Sequence, residues 1–292
     1  PGTEMLLLGG LLKTVLEEGL ENKEWLKQHC DSTMELVQTL NSLDVDSIAV
    51  ETGVQASRIR EAARAFAISG ASSIVYALDN IPLELERGCV SALVDLAIFT
   101  GNLGKPSAGI YPLRHGANEQ GAWDMGCIPH LLPGYRSVYD PVGRRDVEDA
   151  CAIIVPIETG MDVRGIWESI RQGEIKALII AGDSANFNNS GLVNWSDPVV
   201  PDADVLDSLD DLELLVVQDH FLSPAAQKAH VVFPRSTFAE KTGTYTNVER
   251  RVQTLRPVIE VKNSKAKPEW WTICQIAQRM NAQGFDFEGP EE

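Results

Sequence analysis

No CxxC pair, no HExxH, no GxGxxG and no GxxxxGK[ST] occurs anywhere in this 292-residue chain. The first two absences remove the usual zinc and iron–sulfur spacings. The other two remove the glycine loops that cradle dinucleotides and nucleoside triphosphates. A GxSxG elbow is also missing, and with it the signature of a nucleophilic serine. Cys30, Cys89, Cys127, Cys151 and Cys274 stand far apart, so we read them as reduced thiols and not as a disulfide scaffold. The histidines show no i,i+4 pairing, and no metal ligand is assigned.

Positive charge is scarce as well. The balance of 25 basic against 42 acidic residues leaves a net charge of −17, a field that repels a polyanion, so nucleic acid is excluded as a partner. Apolar clusters such as "MLLLGGLL" fall well short of the ~20 residues of a membrane span, and no basic leader precedes them. The expectation is a cytoplasmic protein without a membrane span. Pro1 stands where an initiator methionine would, and an excised piece of a longer protein is expected.

What remains is ordinary globular material, 44% hydrophobic, enough for roughly two domains. Residues 3–41 read as helices, with apolar residues at three-to-four spacing through "TEMLLLGGLLKTVLEEGL" and again from "EWLKQHC". "SRIREAARAFAIS" sets Ile59, Ala63, Phe66 and Ala67 on one helical face, with Gly70 at its end. "SSIVYAL" reads as a buried strand and "GCVSALVDLAIFTGN" as the next helix. Two strand–turn units follow further on: Ala177 to Ala181 runs into Gly182, Asp183 and Ser184, and "LELLVVQDHFLSPAAQKAHVVFP" runs into Gln218 and Asp219. A short helix capped by Ser223 and Pro224 and a strand at 230–233 complete the second unit. "KPEWWTICQIAQRM" reads as a last amphipathic helix. The alternation specifies an α/β fold with mostly parallel sheets, which bind ligands beyond the carboxyl ends of their strands. The divisions read from the sequence are 1–112, 113–264 and a tail at 265–292.

Residues 101–145 hold eight of the 23 glycines without sustained periodicity, the composition of a loop that is either functional or disordered. Within them, "PLRHGANEQGAWDMG" concentrates hydrogen-bonding side chains among residues too small to fill a core. Arg114 there is either a two-point clamp for a small carboxylate or an exposed loop arginine. Asp183 and Asp219 at strand ends are either turn residues or acceptors for a guanine edge or ribose hydroxyls. "TGTYTNVERRVQ" offers Thr244, Thr246 and Asn247 beside Gly243, or else is an exposed turn before a charged strand.

Taken together, "FTGNLGKPSAGIYPLRHGANEQGAWDMGCIPHLLPGY", "GEIKALIIAGDSANF", "LLVVQDHFLSPAAQKAHVVFPRSTFAEKTGTYTNVERRVQ" and "KPEWWTICQIAQRM" resemble, in order and spacing, the central part of molybdopterin-dependent oxidoreductases of the dimethyl sulfoxide reductase superfamily. Formate dehydrogenase catalytic subunits are the nearest likeness. The resemblance implies three-layer αβα Rossmann-like domains and a crevice for molybdopterin guanine dinucleotide carrying molybdenum or tungsten. It implies cofactor binding by Gly182, Asp183, Ser184, Gln218, Asp219, Gly243, Thr244 and Asn247. Arg114 would orient the formate carboxylate as its hydrogen leaves.

The same resemblance places an iron–sulfur cluster, the metal-ligating Cys or selenocysteine and a further cofactor domain outside this segment. Partners implied are a small anionic substrate, the remaining domains of the enzyme, and iron–sulfur or flavin electron-transfer subunits. The piece alone would then be inactive. Where the formate dehydrogenase loop reads Arg-Gly-Gln-Asn-Asn, here Arg114 is followed by His115, Gly116, Ala117 and Asn118. That departure keeps two alternatives open: a non-catalytic scaffold with a degenerate molybdopterin fold, or an oxidoreductase of another small anion with His115 recruited to the site.

Overall fold

The computed structural model describes residues 2–78, 81, 83–113, 116–181 and 206–291. They divide into two compact units, Pro1–Leu113 and Arg114–Glu292, each with its own core.

The first unit is built around helix α1 (Glu4–Glu17). After α2 (Lys23–His29), the helices α3 (Met34–Asn41), α4 (Val45–Thr52), α5 (Ala56–Ile68) and α6 (Leu83–Phe99) all pack on it. Close approach depends on Gly10: a Cβ there would meet the Cγ2 atoms of Ile59 and Ile48 at 3.2 and 3.3 Å. Leu12, Val15, Leu40, Ala63, Ala92, Leu96 and Phe99 form the buried cluster that results. On α5 the expected face is the one that turns inward, with Ile59 and Ala63 fully buried. Helix α4 has no counterpart in the sequence reading, although both ends are marked. Asp44 accepts a hydrogen bond from the Ser47 amide at 2.8 Å, and Gly53 closes the helix at φ 72°.

Strand β1 (Ser73–Tyr76) pairs in parallel with β2 (Gly109–Pro112). It is not the buried strand the apolar run suggests: in this two-stranded sheet alternate residues face outward, and Val75 is 61% exposed. Asn102, 2% exposed, ties the entry to β1 to the end of α6. Its Oδ1 accepts from the Ser72 amide at 3.0 Å and its Nδ2 donates to Thr100 Oγ1 at 2.8 Å.

In the second unit the glycine-rich stretch is more ordered than its composition suggests. It contains helix α7 (Glu119–Asp124) and the short antiparallel pair β3 (Leu131–Leu132) and β4 (Arg136–Ser137). Helices α8 (Pro141–Cys151) and α9 (Val163–Arg171) follow, both absent from the sequence reading. Asp140 caps the first through the Val142 and Gly143 amides, and Asp162 caps the second through the Gly165 amide.

The centre of this unit is a parallel sheet of β5 (Ala177–Ala181), β6 (Leu214–Asp219) and β7 (Val231–Pro234), with β6 in the middle. Helix α10 (Pro224–Lys228), capped by Ser223, connects the last two strands. Leu215 and Val217 of β6 face Trp167 and Ile170 of α9 and Ala225 and Ala226 of α10. The opposite face, with Ile179, Val216 and Phe233, meets Thr272, Ile273 and Ile276 of helix α11 (Glu269–Arg279) across an apolar groove of about 320 Å³. Helices thus lie on both faces of a parallel sheet, the three-layer α/β arrangement expected. The antiparallel hairpin of β8 (Gly243–Thr246) and β9 (Val252–Leu255) stands apart from that sheet.

Candidate functional site

The expected site residues fall in three places. Arg114, His115, Gly182, Asp183 and Ser184 lie outside the described residues. Gln218 and Asp219 end the central strand β6, while Gly243 and Thr244 sit in β8, with Asn247 just after it.

A central strand of a parallel sheet is buried on both sides, and polar residues survive there only when hydrogen-bonded. Gln218 is 2% exposed and Asp219 3%. The Gln218 amide nitrogen donates to the Lys267 carbonyl at 3.1 Å and to Thr272 Oγ1 at 2.9 Å. The side chain therefore fixes the start of α11 to the sheet. One Asp219 carboxylate oxygen accepts from the His220 amide at 2.6 Å, shaping the turn that leaves the strand. The Asp219 carbonyl accepts from the Arg235 amide at 3.0 Å, and His220 Nδ1 lies 3.1 Å from the Arg235 carbonyl. The loop after β7 is thereby drawn to the carboxyl end of β6.

That loop carries groups that the residue patterns alone do not reveal. Arg235 and Lys241 both pair with the carboxylate of Glu269, at the first turn of α11. Burial pushes the Glu269 carboxyl upward, but the hydrogen bond from Lys241 and the neighbouring Arg235 charge outweigh it and hold the group below the ordinary glutamate range. Ser236, 5% exposed, has its Oγ buried with no hydrogen-bond partner. It lines a cavity of about 510 Å³ that also reaches Lys241, Thr242, Lys267 and Trp270. Buried hydroxyls without partners are uncommon, and this one belongs to a residue in the cavity wall. Beside Thr242, a Cβ on Gly243 would meet nothing within 4 Å, so space is open at that strand start.

The hairpin loop is held from within. Asn247 Oδ1 accepts from the Glu249 and Arg251 amides at 3.0 and 2.9 Å, and Arg250 takes a left-handed φ of 59°. Thr244 is exposed, whereas Thr246 is buried. The glycine-rich stretch docks on this hairpin: Asn118 Oδ1 accepts from the Thr246 amide at 2.8 Å. Gln120 donates to Asp124 at 2.8 Å and to the Tyr135 hydroxyl at 2.6 Å, and the Arg250 guanidinium lies 5.6 Å from the Tyr135 ring centroid. Two motifs far apart in the sequence become one surface. Asn118 lies inside the quoted stretch, but only pairing with the hairpin gives it a role. Among the described residues no group of three or more His, Cys, Asp or Glu side chains is placed to hold a metal ion.

The molybdopterin oxidoreductase family profile matches residues 9–279. The chain is 32% identical over 296 residues to an F420-dependent formate dehydrogenase 2 alpha subunit of Methanococcus maripaludis, aligning along 100% of its own length and 41% of the relative's. It is 33% identical over 290 residues to the alpha subunit of an NADPH-Fe(3+) oxidoreductase of Geobacter sulfurreducens, covering 97% of this chain and 32% of that one. Acetylene hydratase from Pelobacter acetylenicus shares the fold, with a TM-score of 0.70 at 19% identity over 99% of this chain and 41% of that one. The chain therefore spans well under half the length of each of these relatives.

Proposed function

The chain belongs to the molybdopterin oxidoreductase family, and from that premise we propose that it forms the central, cofactor-cradling part of a formate dehydrogenase-like enzyme that oxidises formate to carbon dioxide. The observation that carries the cofactor assignment is the cluster of polar groups beyond the carboxyl ends of β6 and β7. It comprises the Asp219 turn, the unpartnered buried Ser236 hydroxyl and the open space beside Gly243. These residues fit a nucleotide-bearing cofactor. A molybdopterin guanine dinucleotide would supply the molybdenum or tungsten centre that accepts the substrate's electrons.

In this reading Asp219, Gly243 and Thr244 meet the cofactor directly, joined by Gly182, Asp183 and Ser184. Gln218 and Asn247 act from behind, holding the start of α11 and the hairpin loop in shape. Arg114 pairs with the substrate carboxylate through its forked guanidinium, and His115 stands beside it. Electrons pass to an iron–sulfur cluster and partner subunits outside this segment, in the cytoplasm, and the segment alone does not turn over.

The test is a titration of the protein with guanosine and adenosine diphosphates. Tighter binding of the guanine nucleotide, weakened in Asp219→Asn, supports the assignment. No binding, or binding untouched by that change, removes it. A second reading, oxidation of a different small anion, is favoured by His115 following Arg114 in place of the glycine of the formate dehydrogenase loop. Assay of the complete enzyme against formate and other oxyanions decides between them.

A further inference from the structure

In the first unit a cavity of about 470 Å³ opens between the start of α3 and the last turns of α6. Its volume is in the range of small-molecule sites. Leu36 and Ile98 give it apolar walls, and Asp95, Glu35, Thr33 and Cys30 supply its polar groups. Thr33 stands at the N-cap position of α3, yet its hydroxyl makes no capping bond. Asp95 is partly buried, with Leu96 and Ala97 beside it at 4% and 0% exposure. No hydrogen bond or ion pair engages its carboxylate among the described residues. Burial alone pushes its carboxyl above the ordinary aspartate range.

A half-buried carboxylate with no partner among the described residues, lining a cavity, is a contact point for a ligand cation. The complement of this lining is specific: a cation to meet Asp95, with Glu35 reinforcing the sign, and an apolar body to lie against Leu36 and Ile98. Anions are disfavoured by both carboxylates. A bare metal ion is disfavoured by the lack of a third ligand, since no cluster of three ligating side chains forms among the described residues.

We propose that this cavity is a binding site for a small primary amine carrying an aryl or branched alkyl body, with its ammonium group on the Asp95 carboxylate.

The probe is 2-phenylethylamine, titrated into the purified protein by calorimetry. In parallel, alkylation of Cys30 is followed by peptide-resolved mass spectrometry. The expected result is saturable binding with a dissociation constant on the order of 1 mM or tighter, together with slowed alkylation of Cys30 but not of the exposed Cys127 and Cys151. Asp95→Asn removes no partnered group and should keep the fold while weakening binding by roughly tenfold or more. Leu36→Ala should weaken 2-phenylethylamine more than methylamine, because only the former uses the apolar wall. The chain's negative charge attracts cations in general, so binding that is equal in Asp95→Asn, or that leaves Cys30 reactivity unchanged, overturns the proposal. So does absence of binding at millimolar amine.

Discussion

The Asn118 side-chain oxygen receives the Thr246 backbone amide at 2.8 Å across 128 residues of sequence, and this bond seats the glycine-rich stretch on the β8–β9 hairpin. Gly121 makes room for it: a Cβ there would lie 2.3 Å from Asn118 Oδ1 and 3.1 Å from Thr246 Oγ1.

Replacing Asn118 with Leu keeps the volume and removes the acceptor, leaving the Thr246 amide buried and unpaired. A loss of about 1–3 kcal/mol is expected, and hydrogen exchange at the Thr246 amide should accelerate more than exchange in β6. Chemical denaturation gives the first quantity and site-resolved exchange the second. Unchanged exchange at Thr246 would mean the bond is not formed in solution.

Glu269 gives a pH signature. Its carboxyl is held low by Lys241 and Arg235 in the native state, so the unfolded chain takes up the proton first as pH falls. The stabilisation is complete above the ordinary glutamate range of about 4.3 and drains away as pH drops through and below it. Glu269→Gln should cost about 1–3 kcal/mol at neutral pH, because two cations lose their shared partner. It should also flatten stability against pH between neutrality and about pH 4. A parallel pair of stability curves for wild type and variant would contradict the ion triad.

Asp95 predicts the opposite slope. Its carboxyl is raised in the native state, so the unfolded chain ionises first as pH climbs past about 3.9. Stability present below that value is lost toward neutrality. Glu35 and Cys30 share its cavity, and among the described residues no cation lines it. Asp95→Asn should therefore raise stability at pH 7. The gain should stay below about 1 kcal/mol, because solvent still screens the group, and it should vanish in acid. Thermal denaturation at both pH values checks the sign.

Gly126 is a backbone requirement. It sits at φ 79°, and a Cβ would lie 2.8 Å from the Pro133 nitrogen and 2.9 Å from the Leu132 carbonyl carbon. Both obstacles are main chain and cannot swing away. Gly126→Ala should cost about 2–4 kcal/mol and detach the β3–β4 turn from α7, which circular dichroism with denaturant titration will report. The nearby Gly134, also at positive φ but with open space around it, should tolerate alanine better.

The sheet was legible from the sequence because its strands are continuous apolar runs ending in polar turns, and Ser223 with Pro224 writes the start of α10 in local chemistry. Helices α4, α8 and α9 carry comparable caps at Asp44, Asp140 and Asp162. Reading for apolar periodicity alone passes over them. The candidate site was legible only in part. Asp219 and the hairpin announce themselves by position and composition, whereas Glu269 and Asn118 acquire their roles from partners dozens of residues away. No local pattern encodes such a pairing. The exposure of Val75 has the same origin: an apolar run specifies a strand, but the number of neighbours that cover it is a tertiary fact.

The separation of the two cores bears on how the chain emerges during synthesis. Every member of the α1–α6 core lies within the first 113 residues, so that unit can finish folding while the rest is still being made. The second unit has no such freedom. Its glycine-rich stretch waits for Thr246, and the end of its central strand waits for Thr272. The first of these segments lacks its partner until β8 has left the ribosome, and the second until α11 has. During that interval the apolar strands β5 and β6 are the part of the nascent chain most in need of a chaperone.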